Sequence, residues 1–360
     1  MILVTIINAI AILLTYLSRY RKCRYGFEFA IILLICFYGI RYNYGNDYPG
    51  YLIMFNEINS FSTIEYSTES SSIERGWIVL NRLFAPLGFF SLVAFLTIFQ
   101  FFTIYKFIKR YVSVEQYYIS LFFYLFSSGL MLTMLSMMRQ CVAMNIILWS
   151  VPFILTRKYW YSMPLIYLAA QFHQSAYLML FLPFTMFLFK LKRNIYIVIS
   201  VFLFFLLFVA DNFIAEQINN IVGTHFDKYN TYIEEGNKLQ LGSGFGFLFN
   251  VIFFMTLVLY DSHKECVNSW LIKMFSISYM FIPLSFVIPL IGRIGTYLSI
   301  MGIVGILPII DLFRQKRMMQ IVISLFVFIT LYGYVTFFYS DIWRDAFMEY
   351  HTIFKSMFWQ

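Results

Sequence analysis

What this sequence lacks first is charge. Only 12% of its 360 residues are Asp, Glu, Lys or Arg, whereas 61% are hydrophobic. Soluble domains carry about a quarter charged residues, so a soluble globular domain is excluded. Alternation of polar and apolar residues is missing too: the runs at 195–210 and 246–260 do not alternate, which excludes a transmembrane β-barrel. Cysteine is sparse, and Cys23, Cys36, Cys141 and Cys266 form no C-x-x-C pair, so neither a disulfide framework nor a zinc site is expected. The sequence has no HExxH, GxSxG, P-loop, Rossmann glycine signature or D-x-D. Metal hydrolysis, serine hydrolysis and metal-bound nucleotide-sugar chemistry therefore have no support, and no metal or cofactor is expected. Basic residues lie in short loops between apolar runs, which gives no basis for nucleic-acid binding.

What is present is a succession of apolar runs that read as membrane helices, with those at 159–173 and 175–189 shorter than usual. Twelve are expected, at 2–17, 27–41, 88–106, 117–135, 140–155, 159–173, 175–189, 194–211, 244–260, 270–290, 294–312 and 318–338. The fold class is thus all-α, a polytopic transmembrane bundle forming a single integral membrane domain over 1–360. Most of the 26 basic residues fall in alternate short loops, including Arg19–Arg24, Lys106–Arg110, Lys190–Arg193 and Arg314–Arg317. Lysine and arginine mark the cytoplasmic side, so the N-terminus is expected outside. No basic residue precedes the first run, so residues 1–17 read as a retained span rather than a secretory signal. The runs at 159–173 and 175–189 read as a tight hairpin with His173-Gln174-Ser175 at its tip. Two larger outer segments follow, at 41–87 and 211–243, with an outer tail at 339–360. The aromatic residues of that tail suit an amphipathic helix lying in the interface.

The outer side collects the polar groups that need explaining. Residues 41–51 carry Arg41, Gly45, Asp47, Tyr48, Pro49 and Tyr51, and read as a turn. Arg139, followed by Gln140, sits where two apolar runs nearly fuse, a costly position for a charge. Arg293, four residues before Tyr297, is similarly squeezed. Arg139 alone reads as a snorkelling anchor or as a clamp for phosphate oxygens, which guanidinium binds in bidentate fashion, and Arg293 alone reads as an anchor sooner than a ligand. Together, Arg41, Arg139 and Arg293 are expected at one depth, where mutual repulsion favours an anion in a shared cleft. Asp47 and Glu74 are the alternative counterions and would close a structural network instead. Glu74 also suits a helix N-terminus. His173 reads either as a satisfied buried histidine or as a proton acceptor for a hydroxyl nucleophile.

In order along the chain, Arg41…Gly45-Asn-Asp47-Tyr48…Tyr51, Glu74-Arg-Gly76, Met138-Arg139-Gln140…Ala143, Phe172-His173…Ser175 and Arg293…Tyr297 resemble the EpsG-type, Wzy-like polysaccharide polymerases. One departure is Arg75, where a small residue or proline is expected between the glutamate and the glycine. The resemblance implies a bacterial inner-membrane glycosyltransferase acting at the periplasmic face. Its donor and acceptor would be oligosaccharide repeat units linked to undecaprenyl pyrophosphate, its surroundings membrane lipids, and a polysaccharide chain-length regulator a candidate partner. On that footing His173 is the first candidate base and Asp47 the second. Arg139 and Arg293, helped by Arg41, face pyrophosphate, while Gly45, Tyr48, Tyr51, Glu74, Gln140 and Tyr297 line the substrate site. A lipid-linked oligosaccharide flippase and an O-antigen ligase are the rival readings, since both also need cations for pyrophosphate.

Overall fold

The computed structural model describes residues 1–60, 73–127, 130–190, 193–209, 254–255, 258, 267–285, 289–307, 310 and 318–354. These are helical almost throughout, as the apolar runs require. In chain order the helices are α1 Ile2–Leu17, α2 Gly26–Gly39, α3 Tyr48–Ser60, α4 Arg75–Phe84, α5 Phe89–Tyr111, α6 Tyr117–Phe126, α7 Met131–Ser136, α8 Met138–Leu155 and α9 Tyr159–Ala170. A 3-10 segment, Gln174–Lys190, is followed by α10 Arg193–Val209, α11 Val267–Ser285, α12 Pro289–Ser299, α13 Gly302–Gly305, α14 Met318–Tyr339 and α15 Arg344–Phe347. Two short strands, β1 Arg41–Tyr42 and β2 His351–Thr352, pair antiparallel.

The chain divides into two compact units, Met1–Leu180 with Lys316–Gln360, and Phe181–Gln315. In the first, α1 packs on α2, α2 on α5, α5 on α8 and α8 on α9. Among the described residues of this unit, α5 and α8 are long and apolar enough to cross a membrane. Their few polar side chains pair between helices, because a lone polar group in an apolar interior is costly. Gln100 of α5 donates to the Tyr124 hydroxyl of α6 at 2.6 Å, and Trp149 of α8 to Thr103 Oγ1 of α5 at 2.9 Å. Tyr38 of α2 donates to Asn8 Oδ1 of α1 at 2.8 Å. In the second unit α11 packs against α10, α12 and α13, and Trp270 Nε1 donates to Thr185 Oγ1 at 2.9 Å.

Several expectations are corrected. The run at 117–135 is not one helix, since Ser127 turns to extended backbone (φ −69°, ψ 117°) at the end of α6. The run at 294–312 is interrupted between α12 and α13. The turn expected at residues 41–51 ends sooner: Tyr48 opens α3, with Pro49 in its first turn, where its missing N–H is harmless. Over its described residues, 339–354, the tail forms the four-residue α15 and β2 rather than one amphipathic helix, with Phe347 packed inward on Tyr44 and Phe337. The expected span at 244–260 and the outer segment at 211–243 fall almost wholly outside the described residues.

Candidate functional site

Three pieces of the first unit meet at one carboxylate, with α3 joining through Arg139, and each arrives there for a local reason. Arg139 is the second residue of α8, whose N-cap Met137 leaves helical geometry (φ −82°, ψ 67°). A cation at a helix N-terminus opposes the helix dipole, so it needs an anion close by. Glu74 supplies it. This residue is the N-cap of α4, with extended backbone (φ −66°, ψ 136°), as its place before a helical run suggests. Its side chain does not cap that helix, however. It turns aside, and Oε2 accepts a hydrogen bond from Arg139 Nη1 at 2.7 Å.

The other carboxylate oxygen faces the break between α9 and the 3-10 segment. Oε1 accepts from the backbone N–H of Gln174 at 3.2 Å and lies 3.6 Å from His173 Nδ1. The break falls where the polar run Gln171 to Ser175 was expected to make a tip. Gly76 brings α4 against it: the Gly76 N–H donates to Gln171 O at 2.8 Å. A Cβ on Gly76 would lie 2.7 Å from that same oxygen, closer than real contacts allow. The glycine two residues after Glu74 is thus a docking requirement, whereas Arg75 between them is exposed.

Burial grades the three groups. The Glu74 side chain is 6% exposed, His173 13% and Arg139 24%, so the guanidinium is the part open to a ligand. Tyr51 completes the floor. Its hydroxyl accepts from the Arg139 N–H at 3.4 Å, its ring lies 5.9 Å from the guanidinium carbon, and it packs on buried Trp77 at 5.3 Å. Arg139 Nε is buried and has no hydrogen-bond partner within the protein.

Burial alone would raise the Glu74 carboxyl, but the facing His173 imidazole and the Arg139 charge bring it down to about 2 from 4.5. Glu74 therefore binds its proton more weakly folded than unfolded. Its contribution to stability is complete above the unfolded value of 4.5 and disappears as pH falls toward about 2. The contribution corresponds to about 3 kcal/mol. In detergent, unfolding midpoints of the wild type and Glu74→Gln should differ most at neutral pH and converge in strong acid. A gap of constant size across that range would contradict the pairing.

The other sequence candidates are placed as follows. Gly45 has φ +126°, a backbone conformation that favours glycine, and a Cβ there would lie 3.0 Å from Ser136 Cα. Asp47 is exposed, and its N–H donates to Ser136 Oγ at 3.1 Å. Arg41 is not at the Glu74 cluster in the way expected of a shared clamp. It is buried, and Nη1 donates to Tyr38 O at 2.9 Å and to Thr97 Oγ1 at 2.6 Å. Tyr48 is buried with it, donating to Arg41 O at 3.2 Å. Gln140 is buried beside Arg139 in α8. Arg293 and Tyr297 lie on α12 in the second unit, where Tyr297 is fully buried. The structure thus brings Tyr51, Glu74, Arg139 and His173 together and turns Arg41 and Tyr48 toward α2 and α5.

Thr97 and Ser136 are the residues that sequence reasoning missed. A threonine inside an apolar helix and a serine before the Arg139 segment carry no pattern that separates them from ordinary packing. No curated protein and no solved structure gives a significant match to this chain. The sequence model of the EpsG family, by contrast, matches residues 24–352 and so takes in every element of the cluster. The chain belongs to the EpsG family of membrane proteins, whose members are Wzy-type polysaccharide polymerases.

Proposed function

We propose that this protein joins undecaprenyl-pyrophosphate-linked oligosaccharide repeat units into O-antigen or a related surface polysaccharide. It acts as a multi-pass protein at the periplasmic face of the inner membrane. The observation that carries the reading is the sharing of one buried carboxylate by a cation and an imidazole from distant stretches of sequence, Arg139 and His173 on Glu74. Glycosyl transfer from a lipid diphosphate needs two things. Charge on the leaving group must be stabilised, and the attacking hydroxyl must lose a proton.

Both roles have a candidate within this cluster. The acceptor sugar oxygen forms a bond to the anomeric carbon of the donor chain as the bond from that carbon to the pyrophosphate oxygen breaks. The electron pair leaves with undecaprenyl pyrophosphate, toward which Arg139 turns the guanidinium donors not engaged by Glu74. The hydroxyl proton passes to His173. Glu74 Oε1 lies 3.6 Å from Nδ1, so Nε2, which is buried in this structure, is the ring nitrogen that would take the proton. Tyr51 keeps the guanidinium plane in place from below.

The test is genetic. In a cell with the gene deleted, surface polysaccharide displayed on a gel should show lipid A–core bearing a single repeat unit. Bare core would mean loss of a ligase or flippase and would overturn the proposal. In a capsule pathway the equivalent result is accumulation of single lipid-linked repeat units.

A further inference from the structure

The loop that leads into Tyr51 is held on two sides. On its inner side, Gly45 rests on Ser136 and Asp47 N–H donates to Ser136 Oγ, three residues ahead of Arg139. On its other side lies the C-terminal segment. β2 pairs with β1 in the register Arg41 to Thr352 and Tyr42 to His351, and Ile353 N–H donates to Ile40 O at 3.0 Å. Gly45 N–H donates to Ala346 O at 3.3 Å, and Asn46 Nδ2 donates to Ile342 O. Tyr350 stacks on Phe37 with centroids 4.2 Å apart and donates its hydroxyl to Phe37 O. Tyr44 is wedged edge-on between Phe347 at 4.8 Å and Tyr350 at 5.0 Å.

This many contacts answer a local need. Asn43 has φ +47° and Gly45 φ +126°, two uncommon backbone conformations within three residues. Such conformations persist only where surroundings over-determine them, and they gather at functional sites. The loop has no regular structure of its own between β1 and α3, and its grip on Ser136 rests on one hydrogen bond and one close approach. The tail adds contacts on the opposite side, beside the turn bond from Tyr48 N–H to Gly45 O and the Tyr48 hydroxyl on Arg41 O.

We infer that the C-terminal segment from Ile342 to Ile353 is a positioning element for the site. It fixes the loop at 43–47, and through Ser136 and Tyr51 it fixes Arg139. Tyr350 is its principal positioning residue: its ring and hydroxyl reach α2 and Tyr44 at once. This inference rests on the polymerase reading for its activity arm only.

Tyr350→Ala in the full chain tests it. Amide hydrogen exchange in peptides covering 40–51 should quicken at least tenfold, while peptides from α5 and α9 exchange as in the wild type. Tyr350→Phe, which keeps the ring stack, should lie near wild type. Unchanged exchange at 40–51 in Tyr350→Ala would overturn the inference whatever the enzyme does. In the activity arm, turnover of a lipid-linked repeat unit should fall with little change in KM.

A covalent pin then separates positioning from general damage. Paired antiparallel residues have Cα atoms about 4.5–5.5 Å apart, within disulfide range. In the Tyr350→Ala chain with Cys23, Cys36 and Cys266 changed to Ser, Tyr42→Cys and His351→Cys should cross-link on oxidation. Slow exchange and turnover should both return, and dithiothreitol should remove both. A cross-linked protein that still exchanges fast would overturn the inference. Absence of turnover in the wild type itself would count against the polymerase reading, leaving the exchange result to decide the role of the tail.

Discussion

Arg139→Ala is expected to reach the membrane yet lose long-chain polysaccharide, with the rate of polymerisation down 100- to 1,000-fold. That range is the usual effect of deleting one donor to transition-state charge, about 2.7–4 kcal/mol. The structure adds a complication, since the same change leaves the Glu74 carboxylate buried without its cation. Breaking one side of a buried pair costs about 3–5 kcal/mol in stability, and a poorly folded protein would also stop making polymer. The double variant Glu74→Gln/Arg139→Gln separates the two effects. Two neutral amides can hydrogen-bond where the ions did, so stability should largely return. If Arg139 binds the leaving pyrophosphate, polymerisation should not return. A double variant that makes chains of normal length would reduce the pair to a structural tie. Arg139→Lys should rescue poorly, because an ammonium cannot reproduce the planar fork that spans Glu74 and a phosphate oxygen together.

The second large effect is expected at His173. Removal of a general base lowers rates by about 100- to 10,000-fold. His173→Gln keeps a hydrogen-bonding group beside Glu74 Oε1 and should leave the protein as stable as the wild type. Its rate should fall into that range. Asp47→Asn is the internal comparison. The Asp47 side chain is exposed, and the contact that anchors the residue to Ser136 comes from its backbone, so the loop should survive the change. If Asp47→Asn falls further than His173→Gln in a purified polymerisation assay, the base is Asp47.

The sequence shows why these two residues stand out and why others do not. Arg139 and His173 interrupt apolar runs, and a charge or imidazole in such a place has to find a partner. Composition therefore located them without coordinates. The choice of Glu74 as that partner was open, because the same residue is a good helix opener. Its backbone does open α4 while its side chain serves Arg139, so both readings of it hold at once. Arg41 went the other way. Its neighbours in sequence are glycines, tyrosines and Asp47, which suggested an open polar site. Its acceptors are Tyr38 O and Thr97 Oγ1, groups that look inert in an apolar run. Helix positions were legible from hydropathy because burial drives them. The interruption after Phe126 was not, since a serine within an apolar run is tolerated in membrane helices.

The pairing of β1 with β2 has a consequence in time. Tyr350 follows Phe37 by 313 positions, and both sit beside the loop that precedes Tyr51. At about 5–20 residues per second, a ribosome needs roughly 15 to 60 seconds between making the first partner and making the second. During that interval the helices around Arg139 can insert and pack, but the strand at 41–42 has nothing to pair with. On the inference that the tail positions the loop at 43–47, that loop gains its outer set of contacts only once residues 342–353 have been made.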